Sequence, residues 1–529
     1  MPGGGHLMVN VGTGNLLVQD DDMSVPHKGI AMAFRRTYNS QSQHDVNGSD
    51  GSAPSMYGNG WTNTFDAHLS SSAANITTVW DIDGAHYDYT LADDGVTWTP
   101  PTGQHATLTW DGGCGYLWTK KSGTSYYFWQ ASNGPCGPSY GGYYAGKLYQ
   151  IIGRNRNTYI TFNYSWDIGT HTAGDKVAAI SATTESGMTA TLWFADVSGH
   201  RLLQEIGFPD GATYLTYLYD AAGNLLWVSR PPNNAAGTRP MVGYIYTTLG
   251  TGPVMAYLTS PRWDGSDGGY IALGYNGTDA HSATVGLLAH VANVNPSIPD
   301  GTGTALQAGY STAPYRFYDE YFTTGVSTPT YRDTDGHAAN WVVDGLGRPT
   351  QTQECTATSG SACTGIWLVN NESWDASNNL ISETDPRGYE TDYAYDGIGN
   401  AISVAEPQTT TTEGTFRPTS LYDYDAYNNV TAYCDPSETH AAGADWTSPP
   451  SASDTLCSSH GAAHTSMAFS YPASEPYGQL TTLTTPMGYS RHIAYDVSKQ
   501  GAGGSDFGLP TRCRGTRSRR HPAKTFLGK

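Results

Sequence analysis

The chain has 529 residues and a net charge of -20, yet only 14% of its residues are charged. Its 63 glycines and 29 prolines exclude a helical bundle. The 37 tyrosines against 12 phenylalanines favour β-sheets whose faces contact both packed neighbours and solvent. The acidic balance also argues against a nucleic-acid partner, because phosphate binding needs clustered lysines and arginines.

The N-terminal region shows no targeting or membrane-spanning segment. Residues Met1 to Asn10 lack a positive region followed by an apolar one, so no secretory signal is visible. No apolar run reaches the roughly 18 residues that a transmembrane helix needs. We expect a protein without a transmembrane segment, secreted or held at the cell surface by a route that the sequence does not show.

A tyrosine–aspartate motif recurs along the chain and predicts a β-hairpin at each copy. The paired side chains, such as Tyr217 and Tyr219, are two residues apart and therefore share one face of a strand. The other copies are Tyr393 and Tyr395 before Asp396, Tyr424 before Asp425, and Tyr495 before Asp496. Degenerate copies end at Asp344 and Asp375.

The residues after each aspartate predict a tight turn. The common pattern is Asp-x-x-Gly/Asn-Asn followed by an apolar residue, in which the carboxylate accepts backbone N–H groups and Gly or Asn tolerates positive φ. It occurs at Asp220, Gly223 and Asn224, at Asp396, Gly399 and Asn400, and in the segments that begin at Asp375 and Asp425.

The spacing of the repeats predicts the architecture. Successive aspartates at 344, 375, 396 and 425 are 31, 21 and 29 residues apart. Units of that size with one hairpin each cannot bury a face alone and must stack on their neighbours. The expected fold is all-β, with stacked antiparallel hairpins in a continuous spiral sheet.

These motifs resemble the YD-repeat, or rearrangement-hotspot (RHS), family of bacterial toxins and the teneurin adhesion proteins. Three N-terminal stretches resemble the segment that precedes the repeats in bacterial members: Val11 to Leu16, Arg36 to Ser40 and Tyr57 to Trp61. The resemblance implies that the hairpins form part of a hollow shell around a C-terminal toxin domain. Neither the family's self-cleaving core nor a toxin domain is recognised after Asp496.

The expected division of the chain has three parts. Residues 1–135 form the all-β segment before the repeats, residues 136–505 form the repeat region with a less regular stretch at 231–335, and residues 506–529 form a basic tail. The last 20 residues hold seven basic residues and no acid, a composition break that favours an aberrant or truncated reading frame over a nucleic-acid or membrane arm.

Seven cysteines contain no C-x-x-C pair, which argues against a zinc ribbon or a thioredoxin-type site. Cys355 and Cys363 flank a polar tip that a disulfide could close, and this pairing favours an oxidising compartment. The alternative is scattered, reduced and buried cysteines.

No enzyme motif stands out, and we expect neither catalytic residues nor a cofactor or metal. His460 and His464 lie in a loop-like context, and the Asp-rich stretches at 45–51 and 81–84 favour turns over calcium sites. Aspartates 220, 396 and 496 occupy turn positions rather than forming a hydrolase pair. The tryptophans of the first quarter are expected to pack in sheets, with sugar stacking as the alternative: Trp61, Trp98, Trp110, Trp118 and Trp129.

The leading hypothesis is a non-enzymatic YD-repeat shell, part of a toxin-encapsulating or toxin-delivering polypeptide whose partner is an enclosed toxin domain. The alternative is a cell-surface adhesion or carbohydrate-binding protein that recognises surface glycans or proteins. A polysaccharide-cleaving enzyme has no motif behind it.

Overall fold

The fold is that of a computed structural model. It describes residues 6–27, 30–42, 44–48, 54–73, 75–113, 115–129, 146–154, 156–167, 176–232, 239–249, 252–259, 270–276, 287–294, 316–323, 326–333, 337–359, 362–412, 414–441, 457, 466–471, 480–485, 489–495 and 510–516. No helix in these ranges is both long and apolar enough to cross a bilayer.

Two small antiparallel sheets come first. The strands of the first sheet are β1 (His6–Val9), β2 (Leu16–Val25), β3 (Met32–Asn39) and β4 (Trp61–Asn63). The strands of the second sheet are β5 (His68–Ala73), β6 (Ile76–Trp80), β7 (His86–Leu91) and β8 (Trp98–Thr99).

A long antiparallel sheet follows, and its first part runs through the middle of the chain. These strands are β9 (Thr107–Trp110), β10 (Gly115–Thr119), β11 (Ser125–Trp129), β12 (Leu148–Ile152), β13 (Tyr159–Trp166), β14 (Val177–Thr184), β15 (Thr189–Val197), β16 (His200–Gly207), β17 (Tyr214–Tyr219), β18 (Leu225–Ser229), β19 (Met241–Leu249), β20 (Gly252–Thr259), β21 (Tyr270–Asn276), β22 (Leu287–Val294), β23 (Arg316–Thr323) and β24 (Thr330–Asp333).

The second part of the chain continues that sheet and adds two side hairpins and a short helix. The elements are β25 (Ala338–Val343), β26 (Pro349–Cys355), β27 (Thr358–Ser359), β28 (Ala362–Cys363), β29 (Trp367–Trp374), β30 (Leu380–Thr384), β31 (Glu390–Tyr395), β32 (Ala401–Ala405), β33 (Thr409–Thr411), β34 (Gly414–Phe416), β35 (Thr419–Tyr424), β36 (Val430–Cys434), α1 (Pro436–Ala441), β37 (Met467–Ser470), β38 (Thr482–Thr484), β39 (Ser490–Tyr495) and β40 (Pro510–Thr516).

Strand pairing from β9 to β40 follows chain order without a crossover. Each strand pairs antiparallel with the next, and only the hairpins β27–β28 and β33–β34 stand aside from the ladder. The prediction of an all-β fold built from stacked antiparallel hairpins is therefore confirmed. The less regular stretch at 231–335 contributes β19 to β24, and residues 510–516 of the basic tail pair with β39.

The division at residue 135 stays a prediction, since the long sheet already begins at Thr107, with β9 pairing β10. The N-terminal sheets pack on the early strands of this long sheet. Their shared core includes Tyr38, Trp61, Trp118 and Phe128, each at most 2% exposed.

The later strands differ in packing. Between Ala338 and Ile402, no apolar side chain of the described residues is buried, although β25 to β32 stay paired throughout. Because a paired sheet without a covering layer leaves both faces in contact with solvent, this part of the sheet is a single-layer wall.

Candidate functional site: the row of repeat turns

Each repeat turn is built around its aspartate, as the first copy shows. Asp220 Oδ1 accepts hydrogen bonds from the backbone N–H groups of Ala222 and Asn224, both at 2.9 Å. Its Oδ2 accepts the side-chain amide of Asn224 at 2.8 Å, while Gly223 takes a φ of 84°. Three donors on one carboxylate fix the loop, because they satisfy two backbone N–H groups and one side-chain amide within the turn.

The same arrangement recurs in the later units. Asp396 Oδ1 accepts from the N–H groups of Ile398 and Asn400 at 3.0 and 2.8 Å, and Gly399 takes a φ of 82°. In the two units without this glycine, an asparagine takes the positive φ: Asn378 at 67° and Asn428 at 63°. Asparagine is among the few L-residues that tolerate this backbone region.

One unit replaces the final asparagine by an arginine. Arg348 Nε donates to Asp344 Oδ2 at 2.7 Å, and its Nη1 reaches the Asp375 carbonyl oxygen in the next unit at 3.0 Å. Hydrogen bonds from Arg348 lower the pKa of Asp344 below its ordinary value. The arginine thus closes its own turn and also links it to its neighbour.

The tyrosines before the aspartates share a position but not an environment. A register shift occurs at Tyr219, Tyr395, Tyr424 and Tyr495, the residue before each aspartate, so every unit carries a bulge at one place. Asp496 lies outside the described residues.

Burial of these rings depends on where the unit lies. Tyr217 and Tyr219 are 4% and 6% exposed, packed beneath the N-terminal sheets. Tyr393 and Tyr395 are only partly buried, and their hydroxyls donate to Glu383 Oε1 at 2.6 Å and to the Leu380 carbonyl oxygen at 2.8 Å. Tyr424 is likewise partly buried and donates to the Ala401 carbonyl oxygen at 2.8 Å.

The later turns touch loops from the beginning of the long sheet. Asn428 Nδ2 donates to the Lys121 carbonyl oxygen at 2.7 Å, and Arg154 Nη1 donates to Asn429 Oδ1 at 2.8 Å. A Cβ added to Gly399 would lie 2.8 Å from His105 Cε1. These contacts define an interface that we call the coil seam, formed by the turns at 375–379, 396–400 and 425–429 and the loops at 103–105, 120–124 and 153–154.

The topology explains why these particular loops meet. In an antiparallel ladder, successive connections lie at alternate ends of the strands. The turns after β29, β31 and β35 lie at one end, whereas the loops before β9, after β10 and after β12 lie at the other. One end of the later strands therefore rests on the opposite end of the early strands, as in successive coils of a spiral.

The first repeat turn makes a matching contact with the N-terminal segment. Asn59 Nδ2 donates to Asn224 Oδ1 at 2.9 Å and to the Ala222 carbonyl oxygen at 2.8 Å. A Cβ on Gly223 would lie 2.7 Å from Val46 Cγ1. This turn is thus fixed between the N-terminal segment and its own strands.

A buried ionic cluster joins the first sheet to the repeat strands. Arg36 Nε donates to Asp22 Oδ2 at 2.5 Å, and its Nη1 donates to the Tyr244 hydroxyl at 2.7 Å. The Tyr217 hydroxyl donates to the same Asp22 oxygen at 2.7 Å. Burial and the nearby Asp22 carboxylate raise the pKa of Tyr217 well above its ordinary value, so it remains a donor at neutral pH.

A second polar cluster lies where β5 meets the start of β12. Leu69 N donates to the Gly146 carbonyl oxygen at 2.9 Å, which brings Asp66 and Lys147 into one small cavity. Burial raises the pKa of Asp66 to about 7, although His44 and Lys147 act to lower it. Burial also lowers the pKa of Lys147.

Two disulfides lie at the ends of strands in the later part of the sheet. Cys355 and Cys363 are bonded with their Cα atoms 5.9 Å apart, around the β27–β28 hairpin. Cys434 and Cys457 are bonded with Cα atoms 5.5 Å apart, and both side chains are buried. Cys114 and Cys136 lie outside the described residues.

The other sequence candidates contribute no assembled chemistry. His460 and His464 lie outside the described residues. Both oxygens of Asp81 accept from Lys120 Nζ, at 2.7 and 2.8 Å, so this carboxylate is engaged in an ion pair. The part of the chain that the structure describes holds no group of three His, Cys, Asp or Glu side chains arranged for a metal.

Sequence reasoning did not find the partners of the turns in the first coil. His105, Lys121 and Arg154 belong to no repeat, and nothing local marks them. Arg36 begins the stretch Arg36 to Ser40, one of the three that resemble the segment before the repeats. Its place two residues before Tyr38, which is buried, was the available signal for the ionic cluster.

The fold and the turns together define a β-hairpin repeat protein with a sheet that returns to its own beginning. Residues 374–411 match the family described as RHS Repeat, and residues 7–89 match a family described as Domain of unknown function (DUF6531). The match over residues 374–411 confirms the resemblance to RHS repeats that was drawn from the tyrosine–aspartate motifs.

Among curated proteins, the tRNA nuclease WapA of Bacillus subtilis strain 168 is 27% identical over 156 residues, which is 29% of this chain and 6% of that protein. The tRNA3(Ser)-specific nuclease WapA of Bacillus spizizenii matches to the same extent. The chain thus aligns with only a small fraction of the length of these relatives.

Among solved structures, the crystal structure of TcdB2-TccC3-Cdc42 aligns with 92% of this chain and 26% of its own chain, at 12% identity and a TM-score of 0.38. The Tc holotoxin pore of Photorhabdus luminescens aligns with 91% of this chain and 27% of its own, at 12% identity and a TM-score of 0.27.

Proposed function

We propose that this chain forms the wall of a YD-repeat shell, as part of a secreted polypeptide that encloses or delivers a toxin domain. The chain itself performs no reaction in this proposal. Its work is to surround a partner, and the repeat turns are the parts that hold successive coils together.

The observation that carries the proposal is the coil seam. Hydrogen bonds from Arg154 to Asn429 and from Asn428 to Lys121 join residues more than 270 positions apart in the sequence. A sheet paired strictly in chain order can bring such residues together only by curving around an axis. A curved sheet with one bare layer surrounds space, which is what enclosing a partner requires.

The single-layer wall supports the same conclusion. A sheet that served only to support a packed core would bury one face along its whole length. Here β25 to β32 keep their pairing, while the apolar side chains of the described residues between Ala338 and Ile402 stay at least partly exposed. Tyr217, which holds the same repeat position as Tyr393, points toward the N-terminal segment. An enclosed domain would therefore lie against the corresponding face of the later strands, the one that carries Tyr393 and Tyr395.

Small-angle scattering and electron microscopy of the purified full chain test the proposal. A compact 529-residue domain has a radius of gyration of about 24 Å. We expect a clearly larger value and class averages with a low-density interior. A radius near that of the compact domain, with solid particles, would refute the shell.

A matched pair of variants tests the role of the coil seam. Arg154→Ala removes both hydrogen bonds to the 425–429 turn and should raise the radius of gyration and protease sensitivity. Arg201→Ala is the control, because Arg201 also binds with its guanidinium, but its partners Val177 and Asp167 lie on or beside nearby early strands and not in the coil seam. Equal behaviour of the two variants would show that the seam does not hold the coils.

A further inference from the structure

The N-terminal region contains a second feature that the shell proposal does not use. A groove of about 930 Å³ lies between the end of the first sheet, at Asn10 to Asn15 and Asn39 to Ser42, and the second sheet, at Ser70 to Asp88. This volume is at the upper end of the range for small-molecule sites. Its lining is polar, with four amide and five hydroxyl side chains.

We infer that this groove binds a short neutral oligosaccharide. Three lining amides, those of Asn10, Asn15 and Asn39, have NH2 groups without a hydrogen-bond partner among the described residues, although Oδ1 of each is already engaged. Free amide donors beside fixed acceptors match hydroxyl groups, which donate and accept at once.

The second sheet supplies a carboxylate and a flat ring. Asp88 is exposed, and its Oδ1 accepts from Thr78 Oγ1 at 2.6 Å, which fixes the side chain and leaves the second oxygen for a ligand hydroxyl. The exposed His86 ring lies 4.8 Å from the Trp80 ring, which itself stacks on His68 with an interplanar angle of 8°. A supported ring of this kind offers an apolar surface beside polar groups.

The groove is also held in shape before any ligand arrives. Trp80 Nε1 donates to Ser70 Oγ at 2.8 Å, and Gln41 Nε2 donates to the Thr13 carbonyl oxygen at 2.7 Å. Side chains fixed in this way lose little further freedom on binding, and rigid polar sites gain affinity for that reason.

The charge of the groove selects among ligands. None of the described residues that line it is a lysine or an arginine, and Asp88 is its acidic group. A sulfated or phosphorylated glycan would meet a carboxylate without a compensating cation, which is unfavourable. A lipid or an apolar peptide would leave the amide and hydroxyl groups without partners.

The test measures binding of the full chain to an array of short neutral oligosaccharides (glucans, galactans, mannans and chitin fragments), with sulfated heparin fragments as a second arm. Hits are titrated by calorimetry. We expect binding to at least one neutral class and none to heparin fragments. Binding only to heparin fragments, or to nothing at millimolar concentration, would overturn the inference.

Variants locate the site. Ala85→Trp fills the groove without removing a polar side chain, and His86→Ala removes the ring. Each should weaken binding at least tenfold. The control is His200→Ala, a partly exposed histidine on β16 outside the groove. Unchanged melting temperatures show that the variants fold, and an unchanged affinity in Ala85→Trp would place the sugar elsewhere and refute this site.

Discussion

Replacing Gly399 by alanine tests one contact of the coil seam, the one between residue 399 and His105. The residue has a φ of 82°, and an added Cβ would lie 2.8 Å from His105 Cε1. The backbone cost of an L-residue in this region is about 1–2 kcal/mol. Forcing a methyl group against a neighbour adds about 1–3 kcal/mol, so Gly399→Ala should destabilise the protein by about 2–5 kcal/mol.

Two further glycines separate the free-energy cost of the backbone conformation from the cost of the contact with His105. Gly388 has a φ of 85° with open space around its Cβ position, so Gly388→Ala should cost only the backbone share, about 1–2 kcal/mol. Gly397 has neither a positive φ nor a neighbour within 4 Å, and Gly397→Ala should be neutral or stabilising by up to about 1 kcal/mol.

The assay is urea and thermal unfolding of these variants, followed by a double-mutant cycle with His105→Ala. In the His105→Ala background, Gly399→Ala should cost about 1–3 kcal/mol less stability, because the imidazole that the new methyl group meets is gone. This difference is the coupling free energy of the cycle. Equal losses in Gly399→Ala and Gly388→Ala, or a coupling near zero, would show that this turn does not touch the first coil and would refute the reasoning.

Three other outcomes follow from burial and bonding. Tyr217→Ala should cost about 3–5 kcal/mol and Tyr393→Ala clearly less, because only the first ring is fully buried; equal melting temperatures would contradict this. Folding raises the pKa of Asp66 from 3.8 to about 7, so its contribution to the free energy of unfolding is greatest at acid pH and falls as pH rises. Between pH 5 and 8 the wild type should lose about 2–3 kcal/mol of stability that Asp66→Asn retains. Parallel pH profiles of the two proteins would contradict this. Replacing Cys434 and Cys457 by alanine should cost about 3 kcal/mol, seen as a lower melting temperature and a smaller effect of reductant than in wild type, because among the described residues only the Cys355–Cys363 bond then remains; an equal effect of reductant on both proteins would contradict this.

The local parts of this fold could be read from the sequence because they are fixed by local chemistry. The carboxylate of Asp220 and the positive φ of Gly223 are properties of a five-residue segment, and the stacking of hairpins follows from unit length. The burial of the tyrosines could not be read in this way. Tyr217 and Tyr393 occupy equivalent positions, and only the N-terminal sheets above Tyr217 distinguish them.

The partners of the turns were equally beyond sequence reasoning. Whether Gly399 meets His105 depends on the summed twist and bulges of all the strands between them, and a small change per strand accumulates over the coil. Interactions of this kind belong to the curvature of the whole sheet, whereas the turn belongs to its own aspartate.

The coil seam also divides the hairpins into a constrained end and a free end. The connections after β29, β31 and β35 are five-residue turns that contact the first coil, so a change in their length would disturb those contacts. The connections at the other end, after β26, β32 and β36, hold the side hairpins β27–β28 and β33–β34 and the helix α1. We therefore expect that rim to accept inserted loops, tags or new binding elements without a change in the winding of the sheet.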